Sequence, residues 1–207
     1  MTLAMTANSQ TLRNAFVQMP DSIMPLLTSV NRQDGMDYVD NNMSIDVTNK
    51  LGRITTISGE KDKYIDISTT KTWTKIMTLP TATEDTIICM VKTIHIDTLS
   101  DSQIRFYSKQ WEVLKSEDYI NMPTINDFIT PNDSITEDKR KEIANKIDIP
   151  LIEATLMTKD DNEQSNKYIL TFKMHSPAYM NEKDRLATSP YIKKEIRMQW
   201  DGNRFIP

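Results

Sequence analysis

The longest apolar run of this chain covers residues 87–91, within a β-branched stretch that extends from residue 86 to residue 96. A run of this length cannot cross a bilayer, because a spanning helix needs about 20 apolar residues. It is typical of a strand that is buried on both faces of its sheet. The sequence therefore predicts a central strand over residues 86–96 and no integral membrane segment.

Shorter segments on both sides of this run alternate apolar and polar residues, as half-buried strands do. Gly59 and residues 201–203 are typical of turns, and residues 97–101 are also predicted to turn. The predicted strands cover residues 65–67, 72–79, 86–96, 103–107, 111–114, 152–156, 168–174, 196–200 and 204–206.

Helical spacing characterises residues 12–41, with a break at Pro20. After the break, Asp21 or Ser22 can cap a second helix that continues through Val30. A further helix is predicted from Ser134 or Thr136 to residue 147, and residues 178–191 are expected to hold a short one. The predicted fold class is α+β, mainly antiparallel sheet with N-terminal and central helices.

The predicted elements occur in the same order in two parts of the chain, residues 10–116 and 117–207. Each part has a helical segment followed by a strand, a loop, a longer strand and a hairpin. We therefore interpret residues 10–207 as a single α+β domain built from two related helix-plus-sheet halves. Two independent domains are less favoured, because each half alone buries too little surface.

Residues 1–9 are uncharged and mildly apolar, and Ala7 and Ser9 occupy the −3 and −1 positions of a signal-peptidase cut before Gln10. We interpret this segment as the remnant of a signal peptide whose start lies upstream. The alternative is a frayed N-terminus. The first interpretation predicts an exported, periplasmic protein.

The net charge is −4, and acidic residues outnumber basic ones on both sides of Ser116. Nucleic-acid binding is not expected, because it requires a basic surface that neutralises phosphates. The four glycines are spaced too widely for a dinucleotide-binding fingerprint or a P-loop. The sequence therefore indicates no nucleotide cofactor and no nucleic-acid partner.

Cys89 is the single cysteine and lies within the apolar run, so it forms no internal disulfide and is expected to be a core thiol. His95 lies six residues further along the same predicted strand, roughly 20 Å away. The two residues therefore cannot form a nucleophile–base pair.

His95 and His175 end corresponding predicted strands, so the fold can bring them near each other. A metal site also needs carboxylates, and Asp97 is the only acid close in sequence to either histidine. We expect two solvent-facing histidines and assign no catalytic, cofactor-binding or metal residue.

Paired carboxylates are frequent but fall mostly in predicted loops, where little burial or pairing tunes their pKa values. They are Asp37/Asp40, Glu84/Asp85, Glu117/Asp118, Glu137/Asp138 and Asp160/Asp161/Glu163. The thirteen methionines favour an adaptable core. The alternative is that some of them line an apolar groove between the sheet and the amino-terminal helices.

Two functions follow as hypotheses. The first is an exported, non-enzymatic binding or structural module whose partner is an unknown protein or an apolar ligand. The alternative is a periplasmic enzyme with a site built from dispersed carboxylates and His175. An apolar groove favours the module, whereas a deep cleft with inward acids favours the enzyme.

Several segments also carry a resemblance to a known family. They are residues 19–28, Arg32 with Asp34, Asp37 with Tyr38, residues 49–52, residues 88–93, and residues 101–107 with Trp111. From about residue 11 to the end, the chain resembles uncharacterised exported proteins of Bacteroidales-type bacteria, the domain of unknown function numbered 3256. This resemblance implies a signal peptide and export, and it implies no activity, cofactor or catalytic residue.

Overall fold

The computed structural model describes residues 11–83, 85–130, 135–161 and 165–207. In this part of the chain, antiparallel strands form one sheet of seven strands and one of four, accompanied by seven helices. The predicted α+β fold class is therefore confirmed. None of the described helices is long and apolar enough to cross a membrane.

The seven-stranded sheet follows chain order from β1 to β7. Its strands are β1 (Ile45–Thr48), β2 (Ile54–Glu60), β3 (Tyr64–Ser68), β4 (Thr72–Pro80), β5 (Thr86–Ile96), β6 (Leu99–Tyr107) and β7 (Val113–Leu114).

The four-stranded sheet has the order β11-β10-β9-β8, so β8 is an edge strand. Its strands are β8 (Ile152–Asp161), β9 (Ser165–Met174), β10 (Ile196–Trp200) and β11 (Phe205–Ile206).

The helices are short. They are α1 (Leu12–Val17), α2 (Ser29–Val39), α3 (Ser116–Tyr119), α4 (Ile125–Phe128), α5 (Glu137–Lys146), α6 (Ser176–Tyr179) and α7 (Glu182–Thr188), and a 3₁₀ turn covers Ser189–Tyr191.

The chain divides into two compact units. The first contains the described residues up to Thr70 together with Lys75–Met90 and Phe106–Leu114. The second contains Lys71–Thr74, Val91–Arg105 and Lys115–Pro207. The single domain over residues 10–207 and its related halves, 10–116 and 117–207, stay predictions, although β4–β7 and β8–β11 each follow chain order through their sheets.

Helices α1 and α2 contribute to the core of the first unit. Phe16 and Met36 are fully buried there with Ile57 of β2. Gly35 allows α2 to approach β2, since a Cβ at this position would lie 2.7 Å from the Cδ1 atom of Ile57. The buried Trp111 donates its indole N–H to the carbonyl of Ala15 at 2.9 Å.

The prediction of a helix that begins at Asp21 or Ser22 is wrong. Residues 21–27 form turns, and α2 begins at Ser29 with Thr28 as its N-cap. Thr28 and Asn31 exchange hydrogen bonds in a capping box, which satisfies amides at the start of the helix.

The central strand prediction is confirmed by β5, where residues 87–91 are buried in succession. The turn prediction at Gly59 is wrong, because this residue lies within β2 and pairs with Ile65. A Cβ on Gly59 would lie 2.3 Å from the carbonyl oxygen of Tyr64, so glycine permits the close approach of the two strands. The predicted turn over residues 97–101 is shorter than expected, because β6 already begins at Leu99.

The helix predicted before Pro150 is present in the second unit as α5, and the hydroxyl of Thr136 caps it. Ser134, the alternative cap, lies outside the described residues. Phe172 of β9 is fully buried in this unit, and β8 pairs with β9 from Ile152↔Met174 onwards. Glu163, one of the acids assigned to predicted loops, also lies outside the described residues.

Candidate functional site

His95 lies near the end of β5 and is held from two sides. Its Nδ1 atom is 2.8 Å from the Oγ atom of Ser100, and its main-chain N–H donates to the carbonyl of Lys71 at 2.9 Å. Its ring lies 4.2 Å from that of Trp73, at an interplanar angle of 53°. The Nε2 atom is buried and has no hydrogen-bond partner among the described residues.

His175 directly follows β9 and contacts two acceptors. Its Nε2 atom is 2.7 Å from a carboxylate oxygen of Glu153, and its Nδ1 atom is 3.3 Å from the carbonyl oxygen of Thr98. A neutral imidazole has one N–H and can donate to only one of them, whereas the imidazolium can donate to both. Through these two contacts, His175 connects the β8–β9 hairpin to the turn that precedes β6.

The two histidines thus contact the same hairpin, β5–β6, but with different partners. The carboxylate beside His175 is Glu153, which the sequence analysis missed, and not Asp97. The described residues contain no group of three or more His, Cys, Asp or Glu side chains that could hold a metal ion. The register of β8 and β9 is the signal that could have found Glu153, because it places Glu153 opposite Lys173, two residues before His175.

Cys89 has the expected core position, with its thiol fully buried in β5. Burial raises the pKa of this thiol far above its usual range. Because the thiolate is the nucleophilic form, Cys89 is unreactive in the folded protein.

Two of the predicted acidic pairs, Asp37/Asp40 and Glu84/Asp85, include carboxylates that contact cationic side chains. Arg13 bridges Asp37 and Asp40. Lys109 binds Asp85, and its hydrogen bond lowers the pKa of that carboxyl. Asp85 therefore stays ionised and does not act as a proton donor near neutral pH. Glu84 and the Asp160–Glu163 side chains lie outside the described set.

Asp66, which the sequence analysis did not single out, is a half-buried carboxylate on β3. Burial raises its pKa, while the charge and hydrogen bond of Lys75 at 3.3 Å act in the opposite direction. The ammonium of Lys75 also lies 4.0 Å from the centre of the Tyr64 ring. Lys75 of β4 thus contacts both Asp66 and Tyr64 of β3, and this arrangement suits a structural role.

A cleft of about 190 Å³ lies in the second unit, between the end of α5, residues 147–149, α6 and α7. Its apolar lining comes from Ile147, Ile149, Tyr179 and Met180. Ligand pockets for drug-sized molecules measure about 300–1,000 Å³, so this cleft suits a small molecule or one side chain of a partner.

Four polar residues that line the cleft, Lys146, Ser176, Asn181 and Asp184, have hydrogen-bond or ion-pair partners. Lys146 lies 3.5 Å from Asp184. The side-chain hydrogen bond from Asn181 and the nearby Lys146 lower the pKa of Asp184. Ser176 donates its hydroxyl proton to the carbonyl of Ile149 at 2.7 Å, so this hydroxyl is not poised as a nucleophile.

Residues 4–205 match a family described as Protein of unknown function (DUF3256). The chain belongs to this family. A solved domain of an uncharacterised protein from Porphyromonas gingivalis W83 is similar to the DUF3256 chain, with a TM-score of 0.78 and 21% identity. The likeness covers 94% of this chain and 98% of that one, and it concerns the fold. No curated protein matches the chain.

Within the described part of this DUF3256 chain, the cleft is a concave surface that can hold a small group. It combines an apolar wall with a charged rim, which is the usual composition of a binding pocket. His175 is not one of its lining residues, so the predicted candidate histidine and the cleft are separate features of the second unit.

Proposed function

We propose that this DUF3256 protein is an exported, non-enzymatic binding module whose cleft accepts a small apolar group of a ligand or partner protein. The observation that carries the proposal is the apolar wall of Ile147, Ile149 and Tyr179 beside the Lys146–Asp184 ion pair. The wall provides burial for an apolar group, and the ion pair orients polar atoms attached to it.

The test uses cyclohexanol as the probe and two variants of matched exposure. Tyr179 is 59% exposed and lines the cleft, whereas Leu186 is 64% exposed and does not line it. In ¹⁵N NMR titrations we expect shifts at Ile147 and Tyr179 in the wild type and in Leu186→Ala. In Tyr179→Ala the apparent Kd should rise at least about tenfold, which is about 1.4 kcal/mol.

Shifts that scatter over the surface, or equal titrations of the two variants, contradict a binding role for the cleft. Either result would favour the alternative function.

The alternative is a periplasmic enzyme with a site built from dispersed carboxylates and His175. The observation in its favour is the 2.7 Å contact between His175 and Glu153, since a carboxylate that orients an imidazole is a common general-base arrangement. The carbonyl of Thr98 beside the other ring nitrogen favours a structural role. A thermal shift with zinc that His175→Gln abolishes would support the enzyme and overturn our preferred function.

The proposal also includes export to the periplasm. It rests on Ala7 and Ser9 at the cleavage positions and on the resemblance to exported Bacteroidales proteins. Mass spectrometry of the protein from periplasmic and cytoplasmic fractions tests it. We expect a mature chain that begins at Gln10 in the periplasmic fraction, and an uncleaved cytoplasmic chain contradicts the proposal.

A further inference from the structure

Asp148 is an exposed carboxylate in the lining of the cleft. Among the described residues, its side chain has no hydrogen-bond or ion-pair partner. The other carboxylate of the lining, Asp184, already contacts Lys146 at 3.5 Å and accepts a hydrogen bond from Asn181 at 2.6 Å. Asp148 is therefore an acidic group of the cleft that a ligand can reach from solvent.

The charges of the lining favour a cationic ligand. Lys146 stands against the two carboxylates of Asp148 and Asp184, so the lining residues have a net charge of −1. The ammonium of Lys146 also lies 3.0 Å from a carboxylate oxygen of Glu142, which is outside the lining. Because Glu142 and Asp184 offset the charge of Lys146, a second cation can approach Asp148 with little repulsion.

Tyr179 presents an aromatic ring to the same cleft. It is 59% exposed, so much of its ring is accessible to a ligand. The face of an aromatic ring attracts cations, and in proteins the cation is more often arginine than lysine. Ile149 is 43% exposed and adds an apolar surface against which an alkyl stem can pack. The cleft thus combines the three groups that recognise a cation on an apolar stem.

We infer that the cleft accepts an arginine side chain of a partner protein. The guanidinium stacks on the ring of Tyr179 and donates N–H groups to the carboxylate of Asp148, while the alkyl stem packs against Ile149. Arginine fits better than lysine, because a planar guanidinium stacks and donates hydrogen bonds at the same time, whereas an ammonium is more strongly hydrated. A cleft of about 190 Å³ accommodates one side chain rather than a drug-sized molecule. The inference rests on the proposed function and names the group that the cleft accepts.

The experiment titrates ¹⁵N-labelled protein with three acetylated and amidated pentapeptides, which carry arginine, citrulline or lysine between two pairs of glycines. Citrulline has the shape of arginine without its charge. We expect shifts at Ile147 and Tyr179, and a Kd for the arginine peptide at least about fivefold below that of each other peptide, since an exposed ion pair and a cation–π contact both add modestly to affinity. Cyclohexanol is titrated in parallel as the probe of the proposed function.

The variants test the two polar contacts through the ratio of the citrulline-peptide Kd to the arginine-peptide Kd. Asp148→Asn keeps the shape of the side chain and removes its charge, so this ratio should fall at least about threefold. Tyr179→Leu keeps an apolar side chain without an aromatic face, so the ratio should fall about twofold. Asp118→Asn is the matched control, because Asp118 is exposed, lies outside the lining and undergoes the same change of charge. It should preserve the wild-type ratio.

The outcomes separate this inference from the proposed function. Equal Kd values for the arginine and citrulline peptides, with cyclohexanol still shifting Ile147 and Tyr179, overturn the arginine site and leave the proposed function intact. A lysine peptide that binds as tightly as the arginine peptide overturns the assignment to arginine. No shift with cyclohexanol or with any peptide overturns both. An equal fall of the ratio in Asp118→Asn and Asp148→Asn would show a general effect of charge and contradict a contact at Asp148. The wild-type titrations decide between these results even where a variant fails to fold.

Discussion

The guanidinium of Arg32 donates a hydrogen bond to the main-chain carbonyl of Met19 at 2.7 Å, across thirteen residues of chain. It donates a second to the carbonyl of Leu27 at 2.8 Å and contacts Asp21 at 3.1 Å. Arg32 is only 2% exposed. One buried side chain of α2 therefore fixes both ends of the irregular segment that precedes the helix.

Replacing Arg32 with alanine should destabilise the protein by about 3 kcal/mol or more, because two carbonyls lose a charged donor and hydrogen bonds to charged groups contribute about 1.5–3 kcal/mol each. Urea unfolding measures the change. Arg53→Ala is the control, since Arg53 is exposed, and it should stay within about 0.5 kcal/mol of the wild type. Equal changes in the free energy of unfolding for the two substitutions would show that the hydrogen bonds of Arg32 do not stabilise the fold more than an exposed arginine does.

Gly35→Ala should have opposite effects in two backgrounds. In the wild type the added Cβ meets Ile57 at 2.7 Å, and this overpacking should cost about 1–3 kcal/mol. In an Ile57→Ala background the two closest atoms are removed and only the Cβ of residue 57 remains, 3.3 Å away, so after a small shift the better helix propensity of alanine should stabilise the chain by up to about 1 kcal/mol. Thermal and urea unfolding of the four proteins measure the coupling. The same sign in both backgrounds would refute a steric origin.

Asp66 should make the folded protein less stable as pH rises. Burial raises its pKa in the folded state above the ordinary value of 3.8, so the folded state binds more protons than the unfolded state in the window above 3.8. Stability relative to Asp66→Asn should therefore fall across this window and then level off. Urea midpoints from pH 3 to pH 7 measure it, and parallel curves for the two proteins would contradict it.

Asp127→Asn should show the opposite dependence. Thr124 donates its main-chain N–H and its hydroxyl to Asp127, each at 2.7 Å, and these bonds lower the pKa of the carboxylate. The stabilisation is therefore present above 3.8 and is lost as pH falls through the lowered folded value. The stability difference between wild type and variant should shrink in acid, and urea unfolding over the same pH series measures it. A difference that widens in acid would be inconsistent with this cause.

Cys89 should resist thiol reagents until the protein opens. Its thiol is fully buried and its pKa is raised, so labelling with a disulfide reagent at about pH 8 should follow the rate of unfolding. Mass spectrometry counts the labels. The matched variant Val113→Cys places a second thiol at an exposed position and should label at once. Rapid labelling of Cys89 in the native wild type would show that β5 opens locally.

The fold was predictable wherever local pattern and final environment agree. The apolar residues 87–91 predict a buried strand because burial on both faces requires apolar residues in succession. Of the two caps predicted for the helix before Pro150, Ser134 and Thr136, the hydroxyl of Thr136 accepts a hydrogen bond from the main-chain N–H of Lys139. The prediction of a helix that begins directly after Pro20 is wrong. In that segment Asp21 contacts Arg32, which lies eleven residues later. A prediction from local capping patterns does not include such a distant contact.

The candidate sites were predictable in part for a related reason. His95 and His175 stand out by residue type alone, but Glu153 becomes the partner of His175 only through the register of β8 and β9. The cleft depends on how α5, α6 and α7 pack, which no single stretch of sequence specifies. Trp73 belongs to a predicted strand, yet its exposure depends on which face of the sheet remains uncovered.

The hydrogen bond from Trp111 to Ala15 joins residues 96 positions apart. A ribosome that adds about 5–20 residues per second needs roughly 5–20 s to supply Trp111 after Ala15 has been made. During that interval α1 leaves the ribosomal exit tunnel, although the indole of Trp111 that packs against it has not yet been synthesised. The amino-terminal helices of a nascent chain therefore keep apolar side chains exposed until the segment between β6 and β7, which contains Trp111, has been synthesised, and this is the period in which a chaperone would bind them.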